Sequence, residues 1–151
     1  FFRSASPPFL LARNQRALSY LYDGRLDEAA AEYEAVVDIG TRTLGRTSEP
    51  TLAAMNGLAM TYVDLARLPE ARALLEATAP LMDATMGPEH EHTLEVKNNL
   101  GWTLYVMKDY EAAERIIAPN LEVQRRVLGP EAVPTLTSLN NLALIYKATG
   151  R

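Results

Sequence analysis

Apolar and polar positions along this chain recur at a fixed interval of 42 residues. Leu10, Leu52, Leu94 and Leu136 share one register, and Asn14, Asn56, Asn98 and Asn140 share another. Three more sets keep the same step: Ala29, Ala71 and Ala113; Gly45, Gly87 and Gly129; and Tyr20, Tyr62 and Tyr146, with Leu104 in the remaining tyrosine slot. A period of this length marks stacked supersecondary units, each too small to bury its own apolar face. Inside the second unit, Leu52, Met55, Leu58, Ala59 and Tyr62 are spaced by three and four, which predicts an amphipathic helix A. Leu65-Ala66-Arg67 predicts a tight turn, matched by Asp23-Gly24-Arg25 in the first unit and Thr149-Gly150-Arg151 in the fourth. A second helix, B, carries Leu68, Ala71, Leu75, Thr78 and Met82 on one face, with Ala71 small where the paired helices approach. The B helices are expected to stop at Gly45, Gly87 and Gly129, with Pro88 and Pro130 preventing continuation. Thr51, Thr93 and Thr135 are then the expected N-caps of the next A helices.

The segment MGPEHEHTLEVKNNLGWTLYVMKDYEAA, residues 86 to 113, and LGPEAVPTLTSLNNLALIYKATGR, residues 128 to 151, resemble the tetratricopeptide repeat (TPR) family in its long-repeat form, the one found in kinesin light chains. The likeness covers residues 9 to 151. It implies an all-α fold, a right-handed α-solenoid of antiparallel helix pairs with three full repeats and one terminal helix. The expected organisation is a linker over 1–8, a degenerate capping repeat over 9–50, repeats over 51–92 and 93–134, and the first helix of a fourth over 135–151. The resemblance also implies a concave surface, formed by the A helices, that binds ligands.

Departures from the repeat pattern modify this picture. Arg16 stands where Leu58, Leu100 and Leu142 occupy core slots, so that side of the first unit is expected to be solvated. Pro80 and Pro119 fall inside B helices and predict kinks, not breaks. Asn120 replaces Val36 and Thr78 at an inward position and needs a hydrogen-bond partner if buried. The chain stops where a fourth helix B is due. That predicts a segment of a longer protein and an apolar strip of Leu136, Leu142, Ala143 and Tyr146 suited to self-association through the terminal helix.

A second stripe lies about a quarter turn from the core stripe of each helix A. It reads Asn14, Leu18, Leu21; Asn56, Met60, Val63; Asn98, Trp102, Tyr105; and Asn140, Leu144, Lys147. An Asn amide both donates and accepts, so a ladder of four suits the main chain of an extended peptide, with Met60, Trp102, Tyr105 and Leu144 selecting its side chains. The family resemblance implies the same peptide-contacting role for the four asparagines. The same Asn also suits a bond to the loop carbonyls of a neighbouring repeat, with no ligand involved; Trp102 and Tyr105 equally suit an inter-repeat core, and Asn99 and Asn141 a structural role. A clamp for a C-terminal carboxylate is disfavoured, because Ala53, Glu95 and Thr137, and then Gly57, Asn99 and Asn141, stand where Lys or Arg would be needed.

Composition narrows the function classes. With 48% hydrophobic and 23% charged residues the chain should fold. A net charge of −4 with scattered basic residues argues against nucleic acid. No apolar run reaches the roughly 18 residues of a membrane span, and no signal peptide opens the sequence. With no cysteine to report on redox state, a cytoplasmic setting is the default expectation. Glu89-His90-Glu91-His92 is the one cluster with metal-like chemistry, but it sits in a loop without a second ligand-bearing segment, so no metal or other cofactor is expected. No phosphate loop or nucleophile motif appears, and Asp27, Glu28, Glu70 and Glu111 suit helix N-termini, so no enzyme is expected. The expected function is a protein–protein interaction module of a signalling, regulatory or adaptor protein, binding an extended partner segment in its groove. The alternative is a scaffold that works through its stacking surfaces.

Overall fold

The computed structural model describes residues 6–151; the rest of the predicted linker, residues 1–5, lies outside the described residues. Among the described residues, seven helices follow one another: α1 (Pro7–Tyr22), α2 (Leu26–Thr43), α3 (Glu49–Asp64), α4 (Leu68–Met86), α5 (Glu91–Val106), α6 (Tyr110–Val127) and α7 (Val133–Ala148). The chain divides into two compact units, residues 1–81 and 82–151, with α4 running across the division.

In the first unit α1 packs on α2, and both pack on α3. Leu10, Ala17, Ala30, Tyr33, Val36, Ala54 and Leu58 form its core, against which Leu21, Tyr62 and Leu74 are packed. In the second unit α5, α6 and α7 make the corresponding trio. Leu94, Val96, Leu100, Leu104, Ala113, Ile117, Leu121 and Ile145 are buried there. Leu10, Leu52 and Leu94 are fully enclosed, whereas Leu136 in the same register is 49% exposed. Leu142 is buried, so the predicted apolar strip is exposed at Leu136, Ala143 and the neighbouring Leu139, and only partly at Tyr146.

The turns obey the predicted chemistry. Gly45, Gly87 and Gly129 have φ of 92°, 93° and 96°, the left-handed stop that ends each B helix. The A-to-B turns use the same region at Gly24 (74°) and Gly150 (78°), and also at Ala66 (60°) and Lys108 (65°), where a Cβ makes it costly. Both α4 and α6 continue through Pro80 and Pro119.

One prediction needs correction. The A helices begin earlier than the threonines suggest: the N-caps are Ser6, Ser48, His90 and Ala132, and Thr51, Thr93 and Thr135 lie inside the helices, buried. Proline explains the shift in α1, α3 and α7, because Pro7, Pro8, Pro50 and Pro134 occupy first-turn positions, where a missing N–H costs nothing. For the same reason α1 starts at Pro7, inside the predicted linker. The threonine hydroxyls turn inward instead. Thr93 Oγ1 donates to the Met82 carbonyl at 3.4 Å and Thr135 Oγ1 to the Gly129 carbonyl at 2.8 Å, tying each A helix to the chain before it.

Candidate functional site: the second stripe of the A helices

The four asparagines are not equivalent. Asn14 on α1 is only 8% exposed, and its Nδ2 donates to the Pro50 carbonyl, 3.0 Å away in the first turn of α3. This is a helix-to-helix bond between adjacent units of the repeat. Asn56 on α3 is half-buried, as are Met60 and Val63 beside it. On α5, Asn98 Oδ1 accepts from Ser138 Oγ (2.8 Å) and Asn141 Nδ2 (3.4 Å), both on α7. Its own amide donor has no partner among the described residues. Asn140 is exposed, and Leu144 half-buried.

Trp102 and Tyr105 are half-buried and stacked, with ring centroids 5.3 Å apart and planes 28° apart. Tyr110, at the start of α6, extends the group: its ring lies 5.7 Å from that of Tyr105. The sequence stripe did not include Tyr110. A signal for it exists, since Leu26 and Leu68 occupy its register in the earlier units.

The A-to-B turns carry a second recurring constellation. Arg25 lies over the Tyr20 ring at 4.5 Å, Arg67 over Tyr62 at 4.2 Å and Arg151 over Tyr146 at 4.9 Å. Carboxylates hold these guanidiniums: Glu28 for Arg25, Glu70 for Arg67, Glu114 for Arg151. Arg67 holds the Glu70 carboxyl below its usual range through their hydrogen bond. Tyr62 also donates to Glu34 at 2.8 Å, and burial first, then this bond, pushes its hydroxyl up to about 12. The third unit differs. Leu104 and Asp109 replace the tyrosine and arginine, and Asp109 caps α6 by accepting from the Ala112 N–H.

The remaining singled-out residues have structural partners. Arg16 is exposed and pairs with Glu32, which also receives Arg13 at 2.9 Å. Burial raises the Glu32 carboxyl, but the bonds from Arg13 and Arg16 together bring it below the ordinary value. Asn120 Nδ2 donates to the Leu94 carbonyl at 3.0 Å. His90 Nδ1 accepts from the His92 N–H at the α5 N-terminus, and Glu89 pairs with Arg126. Among the described residues, no three His, Cys, Asp or Glu side chains converge on a common point, and no helix is long and apolar enough to cross a membrane. At the clamp positions, Gly57 leaves room for the Tyr33 ring, which an added Cβ would meet at 2.5 Å.

Comparison with known proteins agrees with the repeat pattern. The family model of the tetratricopeptide repeat matches residues 9–83 and 56–117. Among solved structures, a Podosopora anserina kinesin light chain with nearly identical TPR-like repeats, in a singly substituted form, is 28% identical with a TM-score of 0.84, covering 98% of this chain and 70% of that one. The form without that substitution gives 28% identity and a TM-score of 0.81 over the same shares. BtubC (BKLC) from P. vanneervenii, at 24% identity, shares the fold with a TM-score of 0.86, covering 94% of this chain and 57% of its own. No curated protein matches. The fold class is the all-α solenoid. Repeats of this kind are protein–protein interaction modules built on a non-catalytic scaffold. With the 42-residue register and the helix-turn-helix units already in hand, the chain belongs to the tetratricopeptide repeat family, in its kinesin-light-chain-like form.

Proposed function

We propose that this chain binds an extended segment of a protein partner along the second stripe of its A helices. The observation that carries this reading is the half-exposed Trp102–Tyr105 stack beside an Asn98 whose amide donor is unspent. Large aromatic surface next to a free hydrogen-bond donor is the composition of a binding hot spot. Leu144 and Asn140 carry the same stripe on α7 of the same compact unit, and Met60 and Asn56 carry it separately on α3. Asn14 contributes by fixing the α1–α3 geometry, since its donor already serves Pro50. The partner is a protein or peptide, with no cofactor and no nucleic acid; a net charge of −4 opposes a phosphate backbone.

Selection from a random-peptide library tests this reading. The parent chain is compared with a Trp102→Met, Tyr105→Val variant, which carries the residues of the second unit at those positions and so spares the fold. Peptides enriched by the parent and lost by the variant support it; equal enrichment by both rejects it.

A second reading is favoured by α7. Val133 is 76% exposed, with Leu136 and Leu139 open beside it, an apolar strip suited to self-association. Sedimentation equilibrium decides: a concentration-dependent dimer that Leu136→Glu abolishes supports a scaffold role, and a monomer throughout rejects it.

A further inference from the structure

The rings of Trp102, Tyr105 and Tyr110 form one half-exposed group, with successive centroids 5.3 and 5.7 Å apart. In the second unit the same three sites are Met60, Val63 and Leu68, so the group is not a general feature of the repeat. Four groups here can donate a hydrogen bond: the indole N–H, the two phenol hydroxyls and, one turn before Trp102 on α5, the Asn98 amide. None has an acceptor among the described residues, and none is among the buried atoms left unpartnered, so solvent reaches all four. The Asn98 oxygen is already occupied by Ser138 and Asn141, and Asp109 by the α6 N-terminus. The surface therefore offers aromatic faces and a surplus of donors.

A segment that covers these rings must bring carbonyl oxygens to the donors without burying N–H groups of its own that lack an acceptor. A helix spends most of its carbonyls on its own N–H groups, and an ordinary extended segment brings one N–H with every carbonyl. Proline brings the carbonyl alone. A polyproline II segment makes no internal hydrogen bonds, so its carbonyls stay free, and its rings dock on aromatic surfaces. At about 3.1 Å per residue, each ring-to-ring step here spans about two residues of such a segment. We infer that the occupant is a proline-rich segment of the partner, lying across Trp102, Tyr105 and Tyr110 with its carbonyls on the donors of this group and of Asn98. The inference rests on the peptide-binding reading and names the partner's chemistry.

Trp102 is the only tryptophan, so its emission reports on this cluster directly. The probe is acetyl-(Pro)8-amide, with acetyl-(Ala-Gln)4-amide as an uncharged control of equal length in which every residue carries its N–H. The expected result is a saturable change in Trp102 emission with the proline peptide, and binding at least tenfold weaker with the control. Affinity should fall at least tenfold in Tyr105→Val, Tyr110→Leu, whose new residues are those of the second unit. It should fall at least threefold in Tyr105→Phe, Tyr110→Phe, which keeps the rings and removes only the hydroxyls. No saturation with the proline peptide, equal affinity for the control, or either variant unaffected overturns the inference. Library-selected peptides that need Trp102 but lack proline overturn it while leaving the proposed function standing. A library with no binders overturns both.

Discussion

Single residues show where this repeat is locally strained. Ala66 and Lys108 hold φ of 60° and 65° where the sibling turns have glycine. A side chain in the left-handed region costs about 1–2 kcal/mol, partly offset by the entropy a glycine loses on folding. Ala66→Gly and Lys108→Gly should each stabilise the chain by about 0.5–1 kcal/mol in urea unfolding. Gln124 is fully buried with both side-chain polar atoms unpartnered, and Met82 fills its register in the preceding unit. Gln124→Met should therefore add about 1–2 kcal/mol, read from the urea midpoint; a loss would mean that the amide has a partner in solution. Tyr62 supplies a pH test. Its hydroxyl is pushed up to about 12, so the fold favours the neutral phenol. That contribution is complete below the ordinary tyrosine value of about 10 and is lost as pH rises from about 10 to about 12. The fall in stability over that window should be shallower in Tyr62→Phe.

At the level of elements, the helix pairs depend on matched small and large residues. An added Cβ on Gly101 would collide with Ile117 Cγ1, and Ile117 is fully buried on α6. The second unit pairs Ala59 with Leu75 at these two positions. Gly101→Ala alone should cost about 1–3 kcal/mol through overpacking. Adding Ile117→Leu should recover a large part of it, and a double-mutant cycle showing no coupling would contradict this packing account. The helix boundaries also show what periodicity conveys and what it misses. The apolar steps of one repeat, carried along the 42-residue register, predicted the seven helices found among the described residues, because burial sets that period. They misplaced the A-helix starts: threonine and proline both suit a first turn, and only packing against the preceding helix distinguishes a capping hydroxyl from Thr93 or Thr135 turned inward. Asn14 poses the same difficulty. Its side chain suits a peptide or a carbonyl of the next unit equally well, and the Pro50 bond is visible only once α1 and α3 are packed.

For the molecule as a whole, the fold was the most legible property, since a 42-residue register repeats one burial problem several times. The candidate site was legible only as a stripe. Its aromatic focus depends on Tyr110, which reaches Tyr105 from the following helix and so belongs to no single-helix pattern. On the proposed reading, binding uses positions where one repeat departs from its siblings, while shared positions such as Asn14 hold helices together. The third unit departs at this stripe, with Trp102, Tyr105 and Tyr110 in place of aliphatic residues and Asp109 in place of an arginine. Partner binding, on the proposed reading, depends on this departure. The most direct test is the affinity of a library-selected peptide, measured by titration calorimetry, for the parent and for Trp102→Met, Tyr105→Val. A loss of tenfold or more, with the helical circular dichroism unchanged, is the predicted result; equal affinity would contradict it.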